Sequence, residues 1–295
     1  ARGRYIEFAK SSIRNRSLRG LKIVLDCANG AAYSIAPAIF RELGAEVIDT
    51  AVAPNGININ DGCGATHLEH LSQLVREHHA HVGIALDGDA DRVIFCDSEG
   101  REVDGDRIIG MVALDYRERN KLAQHSVVVT SMSNLGLHRA MREAGISVVT
   151  TGVGDHLVIE AMREGGFNVG GEQSGHVIFM DYVTTGDGII TALHVLELMT
   201  RKKRSLKELA SFMPVFPQAL KNLPIKHKIP LAEAKILKDA IRECENALGD
   251  SGRTLVRYSG TENKIRLLVE AEKPEQVQFW IEKLADAANR ALNMD

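Results

Sequence analysis

Cysteine is scarce in this sequence: Cys27, Cys63, Cys96 and Cys244 stand far apart, with no close pair among them. Such spacing excludes a disulfide scaffold and a CxxC metal site, and leaves reduced thiols as the default. Long apolar runs are lacking as well. None approaches the roughly 20 residues of a membrane span, and the opening Ala1-Arg2-Gly3-Arg4-Tyr5-Ile6-Glu7 has no apolar stretch of the secretory kind. A cytoplasmic location with no membrane partner is therefore expected. Charge of one sign is not in excess either, since a net charge of −3 gives no general attraction to nucleic acid.

What is present is an α/β pattern. Strand-like runs at Leu21–Leu25, Val47-Ile48 and Val82–Leu86 alternate with helical periodicity over Ser34–Leu43 and Leu68–His79. A similar unit follows Asp104, with helices over 107–118, 135–143 and 155–164 and strands at 127–130, 147–150 and 167–169. Proline is scarce, yet four of seven fall at 214, 217, 224 and 230, a density that predicts an inter-domain connection and edge strands. A helix over 231–248, strands at 254–256 and 265–269 and a helix over 274–292 complete a small α+β unit. The expected fold is thus two tandem α/β units with mixed or parallel sheets plus a C-terminal α+β domain, divided as 1–102, 103–213 and 214–295.

Chemistry concentrates first in Asp87-Gly88-Asp89-Ala90-Asp91-Arg92. Three carboxylates on alternate residues, with small residues between them, suit a curled loop at a strand's carboxyl end. In a straight strand they would lie roughly 6.5–7 Å apart, too far to share one small ion. A calcium EF-hand is excluded by Arg92 and Ser98 where glycine and glutamate are required, although a solvated acidic turn stays open. Hard oxygen ligands without Cys or His favour Mg²⁺ over Zn²⁺. Arg92 cannot ligate a cation, so its useful role is to fork onto a phosphate.

Two further loops carry polar side chains between glycines. Gly171-Glu172-Gln173-Ser174-Gly175-His176 offers Glu172 as acceptor, Ser174 as donor and acceptor, and His176 as a group that shuttles protons near neutrality. Its alternative is a capped turn. Arg257-Tyr258-Ser259-Gly260-Thr261-Glu262, with Arg266 beyond it, has the parts of a phosphate cradle or of a hairpin turn. The loop Asn55–His67, rich in Gly and Asn, reads as an ordered surface loop framing a cleft. The histidines at 67, 70, 78, 79 and 81 read as a solvated helix face, because no Cys or carboxylate completes a zinc set at characteristic spacing.

Together these loops resemble the α-D-phosphohexomutase superfamily, and the branch of it that acts on glucosamine phosphates. Asn58-Ile59-Asn60, Cys63–His67 and Asp181–Gly188 add to the likeness, which runs through essentially the whole chain. The resemblance implies that Asp87, Asp89 and Asp91 hold Mg²⁺ while Arg92 faces a phosphoserine, and that His176 transfers a proton or orients substrate. It further implies that Glu172, Ser174 and His176 bind the sugar, and that Arg257, Ser259, Gly260, Thr261 and Arg266 bind its phosphate. The implied reaction interconverts glucosamine 6-phosphate and glucosamine 1-phosphate through a phosphoserine enzyme, with a sugar 1,6-bisphosphate as intermediate and activator. A homodimer is compatible with it.

Three departures stand out. Tyr258 and Asn263 occupy positions where relatives usually carry proline, and His156 stands where many have arginine. No segment resembles the family's Ser-Ala-Ser-His-Asn-Pro loop, so a missing N-terminal domain would supply the nucleophile, and the chain by itself is expected to be inactive. A sister enzyme acting on glucose or mannose phosphates, or a noncatalytic phosphosugar-binding fragment, are the alternatives.

Overall fold

The computed structural model describes residues 2–260 and 262–293, which form two compact units, residues 2–133 with 137–214 and residues 134–136 with the described residues from 215 to 293. In the first unit, helix α1 (Arg2–Ser12) leads into strand β1 (Lys22–Asp26), helix α2 (Ile35–Glu42), β2 (Glu46–Thr50), α3 (Glu69–Glu77), β3 (Val82–Leu86), β4 (Val93–Asp97) and β5 (Glu102–Val103). The sheet runs in the order β2-β1-β3-β4-β5, parallel across β2-β1-β3 and antiparallel from β3 to β5. Every residue of β3 is buried, which is why Val-Gly-Ile-Ala-Leu reads as an unbroken apolar run. Helix α3 buries Leu71 and Val75, one turn apart on a single face. That face sits so close that a Cβ on Gly83 would come within 2.7 Å of Val75 Cγ2.

The same unit contains a second sheet, ordered β7-β6-β8-β9, from β6 (Ser126–Thr130), β7 (Ser147–Thr151), β8 (Val169–Gly171) and β9 (Val177–Phe179). Only β8-β9 is antiparallel. Its helices are α4 (Gly105–Glu118), α5 (Leu135–Glu143), α6 (Asp155–Gly165), α7 (Gly188–Lys202) and the short α8 (Leu206–Ala210). One apolar cluster joins residues of both sheets, including Ile84, Phe95, Val129 and Phe179. The strand expected at 167–169 begins instead at Val169. Asn168 uses its side chain to tie loops together, accepting from Ala123 N at 2.9 Å and donating to Lys121 O at 3.0 Å and Asp181 Oδ2 at 2.8 Å.

The second unit is an antiparallel sheet, β10-β12-β11, built from β10 (Gln218–Pro224), β11 (Gly252–Tyr258) and β12 (Lys264–Ala271), with α9 (Lys235–Leu248) and α10 (Pro274–Leu292). Proline starts α10, where its missing N–H costs nothing, and the helix buries Val277, Trp280, Ile281, Leu284 and Ala288 along one stripe. Helix α9 starts at Lys235 rather than 231, because Pro230 sets a turn whose carbonyl accepts from Glu233 and Ala234. The proline-bounded β10 is an edge strand, as its composition predicts.

One packing feature makes stability depend on pH. His194 of α7 lies between Phe179 and Tyr182, with ring centroids 4.8 and 4.7 Å away, and its Nε2 is sealed from solvent. Burial first, then the nearby charges of Arg119 and Lys121, pushes its pKa down to about 4, while Asp115 opposes the shift. The unfolded chain would protonate this imidazole near pH ~6.5, so the folded state binds fewer protons. Stability present above that pH is therefore lost as pH falls toward the folded value. Urea denaturation between neutral and mildly acidic pH should show His194→Phe sparing on the order of 2 kcal/mol of this loss. Parallel pH profiles for the two proteins would contradict the assignment.

Candidate active site

The acidic loop links β3 to β4, whose ends pair Leu86 with Val93, so it stands at the carboxyl end of a buried strand as the sequence predicts. Ala90 takes a left-handed φ of 63°. This curls the backbone, with Ala90 N–H reaching Asp87 O at 3.1 Å, and brings one oxygen from each of Asp87, Asp89 and Asp91 within 4.8 Å of one another. Asp87 Oδ1 accepts from Arg92 N at 3.1 Å, and Arg92 Nε lies 3.9 Å from both Asp87 Oδ2 and Asp91 Oδ1. Burial, together with the charges of Asp91 and Asp89, raises the Asp87 carboxyl to about 6. Crowded carboxylates that resist ionisation are what a divalent cation would relieve, and an all-oxygen donor set fits Mg²⁺.

Around this loop the chain forms a frame. Ile59 and Asn60 lie over Gly88, where a Cβ would fall 2.6 Å from Cδ1 at the end of the exposed Ile59 side chain. Gly188, at the start of α7, donates its N–H to Ala90 O at 2.9 Å. Asp187 caps the same helix by accepting from Ile190 N at 2.9 Å, and it also receives the Tyr5 hydroxyl at 2.8 and 2.9 Å. Burial raises the pKa of both Tyr5 and Asp187, so neutral Tyr5 remains the donor.

The loop 171–176 joins the acidic loop directly. Val93 N donates to Gly175 O at 3.1 Å, and Gly105 N to Gln173 O at 3.0 Å. His176, 2% exposed, lies with Nδ1 3.1 Å from Asp91 Oδ2, while Nε2 accepts from Gly186 N at 3.0 Å. The second bond requires Nε2 to be unprotonated, which puts the proton on Nδ1 and makes it the donor to Asp91. Both nitrogens are thus engaged within the chain, one with Asp91 and the other with Gly186. Ser174 is exposed, and Glu172 is half-buried with Oε1 accepting from Gly154 N at 3.2 Å. His156 is largely exposed, its Nδ1 3.7 Å from Asp155 Oδ1.

In the second unit, Arg257 of β11 stands directly across from Arg266 of β12. Facing like charges are unfavourable in a sheet. Burial, and then Arg266, lowers the Arg257 pKa, and Arg266 Nε is buried with no hydrogen-bond partner. Ser259 is buried, its N–H on Lys264 O at 2.8 Å and its Oγ accepting from Glu262 N at 3.3 Å, while Gly260 is exposed with open space around it. Thr261 lies outside the described residues. Tyr258 ties the end of β11 to the segment ahead of α9 by donating its hydroxyl to Ile229 O at 2.7 Å.

Tyr5, Gly186, Asp187 and Gly188 frame the acidic loop, and the sequence reading gave none of them a role of its own. A signal existed for three of them: Gly186-Asp187-Gly188 places a capping aspartate before the apolar run of α7. Nothing local marks Tyr5.

Residues 3–100 match the family description "Phosphoglucomutase/phosphomannomutase, alpha/beta/alpha domain II", residues 104–216 match alpha/beta/alpha domain III, and residues 201–287 match the C-terminal domain. The chain is 52% identical over 291 residues to phosphoglucosamine mutase of Anaeromyxobacter sp. (strain Fw109-5), an alignment covering 98% of this chain and 62% of that protein. It is 50% identical over 295 residues to phosphoglucosamine mutase of Syntrophotalea carbinolica, covering 100% of this chain and 65% of that one. It thus spans less than two thirds of the length of these relatives. Among solved structures, a phosphoglucomutase/phosphomannomutase family protein from Burkholderia thailandensis aligns with TM-score 0.80 at 24% identity, covering 98% of this chain and 64% of that one. Aspergillus fumigatus N-acetylphosphoglucosamine mutase, in complex with GlcNAc-6P and magnesium, aligns with TM-score 0.79 at 22% identity, covering 98% and 66%. At these identities the likeness shows a shared fold.

Proposed function

We propose that this chain, which belongs to the phosphoglucomutase/phosphomannomutase family, carries the metal-, sugar- and phosphate-binding parts of a mutase that interconverts glucosamine 6-phosphate and glucosamine 1-phosphate. The observation that carries this reading is the acidic triad, curled within 4.8 Å, flanked by Arg92 and bonded through Asp91 and Val93 to the loop 171–176. Asp87, Asp89 and Asp91 would hold Mg²⁺, which when bound neutralises phosphoryl charge. Arg92 then forks onto phosphate oxygens, a role for which its half-exposed side chain is available.

His176 acts as a positioning residue, its Nδ1–H fixing the Asp91 carboxylate in the manner of an outer-sphere partner. Glu172 and Ser174 read sugar hydroxyls. Arg257, Ser259, Gly260, Thr261 and Arg266 take the phosphate that is not being transferred. In the reaction, a phosphoserine outside this chain donates its phosphoryl group to the sugar, giving the 1,6-bisphosphate. The bisphosphate reorients and returns its other phosphate to the serine. Catalysis is then mainly positioning and electrostatics.

Substrate choice is tested by calorimetric titration of the chain with glucosamine 6-phosphate, glucose 6-phosphate and mannose 6-phosphate in the presence of Mg²⁺. Glucosamine 6-phosphate should bind tightest, by roughly tenfold, as expected when a polar site matches one substituent. Glu172→Ala should collapse that preference, whereas Arg257→Ala should weaken all three ligands alike. Tighter binding of glucose or mannose phosphate would replace this reading with that of a sister enzyme.

A further inference from the structure

Three carboxylates gathered within 4.8 Å repel one another, and Ala90, the residue that curls them together, holds a left-handed φ of 63° that a non-glycine residue disfavours. Both effects push the metal-free loop to open, and the contacts that oppose them converge on one short segment. Gly188 N–H donates to Ala90 O at 2.9 Å, fixing the peptide that enters Asp91. Gly186 N–H donates to His176 Nε2 at 3.0 Å, and the Nδ1 of that ring lies 3.1 Å from Asp91 Oδ2. The backbone and the carboxylate of Asp91 are thus both tied to residues 186–188. The approach leaves no room for side chains. A Cβ on Gly188 would stand 2.7 Å from Arg92 O, and one on Gly186 would stand 2.5 Å from the His176 ring.

Between these two glycines lies Asp187, whose own anchorage comes from another part of the fold. Its Oδ1 accepts from Ile190 N at 2.9 Å at the head of α7, and the Tyr5 hydroxyl of α1 donates to Oδ1 at 2.9 Å and to Oδ2 at 2.8 Å. Helix α7 is buried over most of its length and α1 packs against it, so the anchor belongs to the core of the unit rather than to the loop. An independent observation places the two anchoring side chains beside the triad: a cavity of about 250 Å³ is lined by Tyr5 and Asp187 together with Asp89 and Asp91. The space suffices for the several waters that Mg²⁺ usually keeps.

We propose that Tyr5 and Asp187 are positioning residues for the metal site: their bond locks residues 186–188, and these hold Asp91 in register with Asp87 and Asp89 before an ion arrives. The proposal rests on the reading of those three aspartates as Mg²⁺ ligands. Its consequence is selectivity. Mg²⁺ demands near-octahedral oxygens at about 2.1 Å, whereas Ca²⁺ accepts irregular ones at about 2.3–2.6 Å. A loosened loop therefore loses Mg²⁺ more than Ca²⁺.

The test is titration calorimetry of Mg²⁺ and of Ca²⁺ into the 295-residue chain and its variants, with metal-free thermal melts to establish that each is folded. Tyr5→Phe deletes a single hydroxyl without changing charge. It should weaken Mg²⁺ by about threefold to tenfold, at or below the lower end of the 10–100-fold typical of a direct outer-sphere partner, and Ca²⁺ by roughly twofold or less. Asp187→Ala should weaken Mg²⁺ by about tenfold or more. Asp187→Asn removes the charge but keeps an Oδ1 acceptor for both Ile190 and Tyr5, so it should stay within about threefold of the parent, which separates the tie from simple attraction. Mg²⁺ binding by the parent that is unchanged in Tyr5→Phe and Asp187→Ala would overturn the proposal and leave the metal reading standing. So would Mg²⁺ and Ca²⁺ weakening in equal proportion in folded variants, or Asp187→Asn losing as much as Asp187→Ala. No Mg²⁺ binding by the parent would overturn the metal reading itself, and this proposal with it.

Discussion

Asp89→Asn should lower the Mg²⁺ affinity of the chain by roughly a hundredfold or more, because losing a direct ligand exceeds the 10–100-fold typical of an outer-sphere change. The substitution keeps the side chain's shape and removes one of three charges gathered within 4.8 Å. Asp89 is also the exposed member of the triad, so no core contact is lost with the charge. Its effect on the metal-free protein has the opposite sign. The Asp87 carboxyl is raised to about 6 by burial and by the charges of Asp91 and Asp89, and ionising it in the folded state therefore costs stability as pH rises through that value. Removing the Asp89 charge relieves part of this, so the metal-free variant should be as stable as the parent at neutral pH, or more stable by on the order of 1 kcal/mol. Calorimetric Mg²⁺ titration and thermal melts with and without Mg²⁺ read both effects. Unchanged Mg²⁺ binding would mean that the loop is a solvated acidic turn.

The residues that sequence analysis placed well are those whose signal is local. Val82–Leu86 is apolar throughout because it is buried throughout, and the small residues at 88 and 90 announce the curl that follows it. Helix α10 was legible to the residue at both ends, since Pro274 opens it and the buried positions keep helical spacing. Helix α1 escaped notice because it buries only Ala9 and Ser12 and so has no apolar stripe to read. Helix α7 is buried over most of its surface, and a helix apolar on several faces carries little periodicity.

The frame around the acidic loop was invisible for a different reason. His176 meets Asp91 across 85 residues, and Tyr5 meets Asp187 across 182. No spacing rule reaches that far. The histidine was read by its chemistry near neutral pH, whereas its neighbours Asp91 and Gly186 take up both ring nitrogens. The arginine pair is intermediate. Its members were recognisable as candidate phosphate ligands, but their direct cross-strand register follows from the pairing of β11 with β12.

By itself, the 295-residue chain should give no mutase turnover, even with Mg²⁺ and glucosamine 1,6-bisphosphate supplied. In the proposed reading Arg92 and the acidic triad stabilise a phosphoryl group, yet positioning without a nucleophile does not split the reaction into two transfers. Ser174 is exposed and makes no hydrogen bond among the described residues that would activate it, and His176 has no free nitrogen to do so. Joining ahead of this chain the N-terminal part of a matched phosphoglucosamine mutase that the alignment leaves uncovered, which the proposed reading takes to carry the phosphoserine, should restore activity by roughly a thousandfold or more over the chain alone, the scale on which loss of a nucleophile is usually felt. The decisive measurement is the rate of conversion of glucosamine 6-phosphate to glucosamine 1-phosphate by the two proteins side by side. This account predicts a background rate for the chain alone and turnover for the joined protein; robust turnover by the chain alone would contradict it.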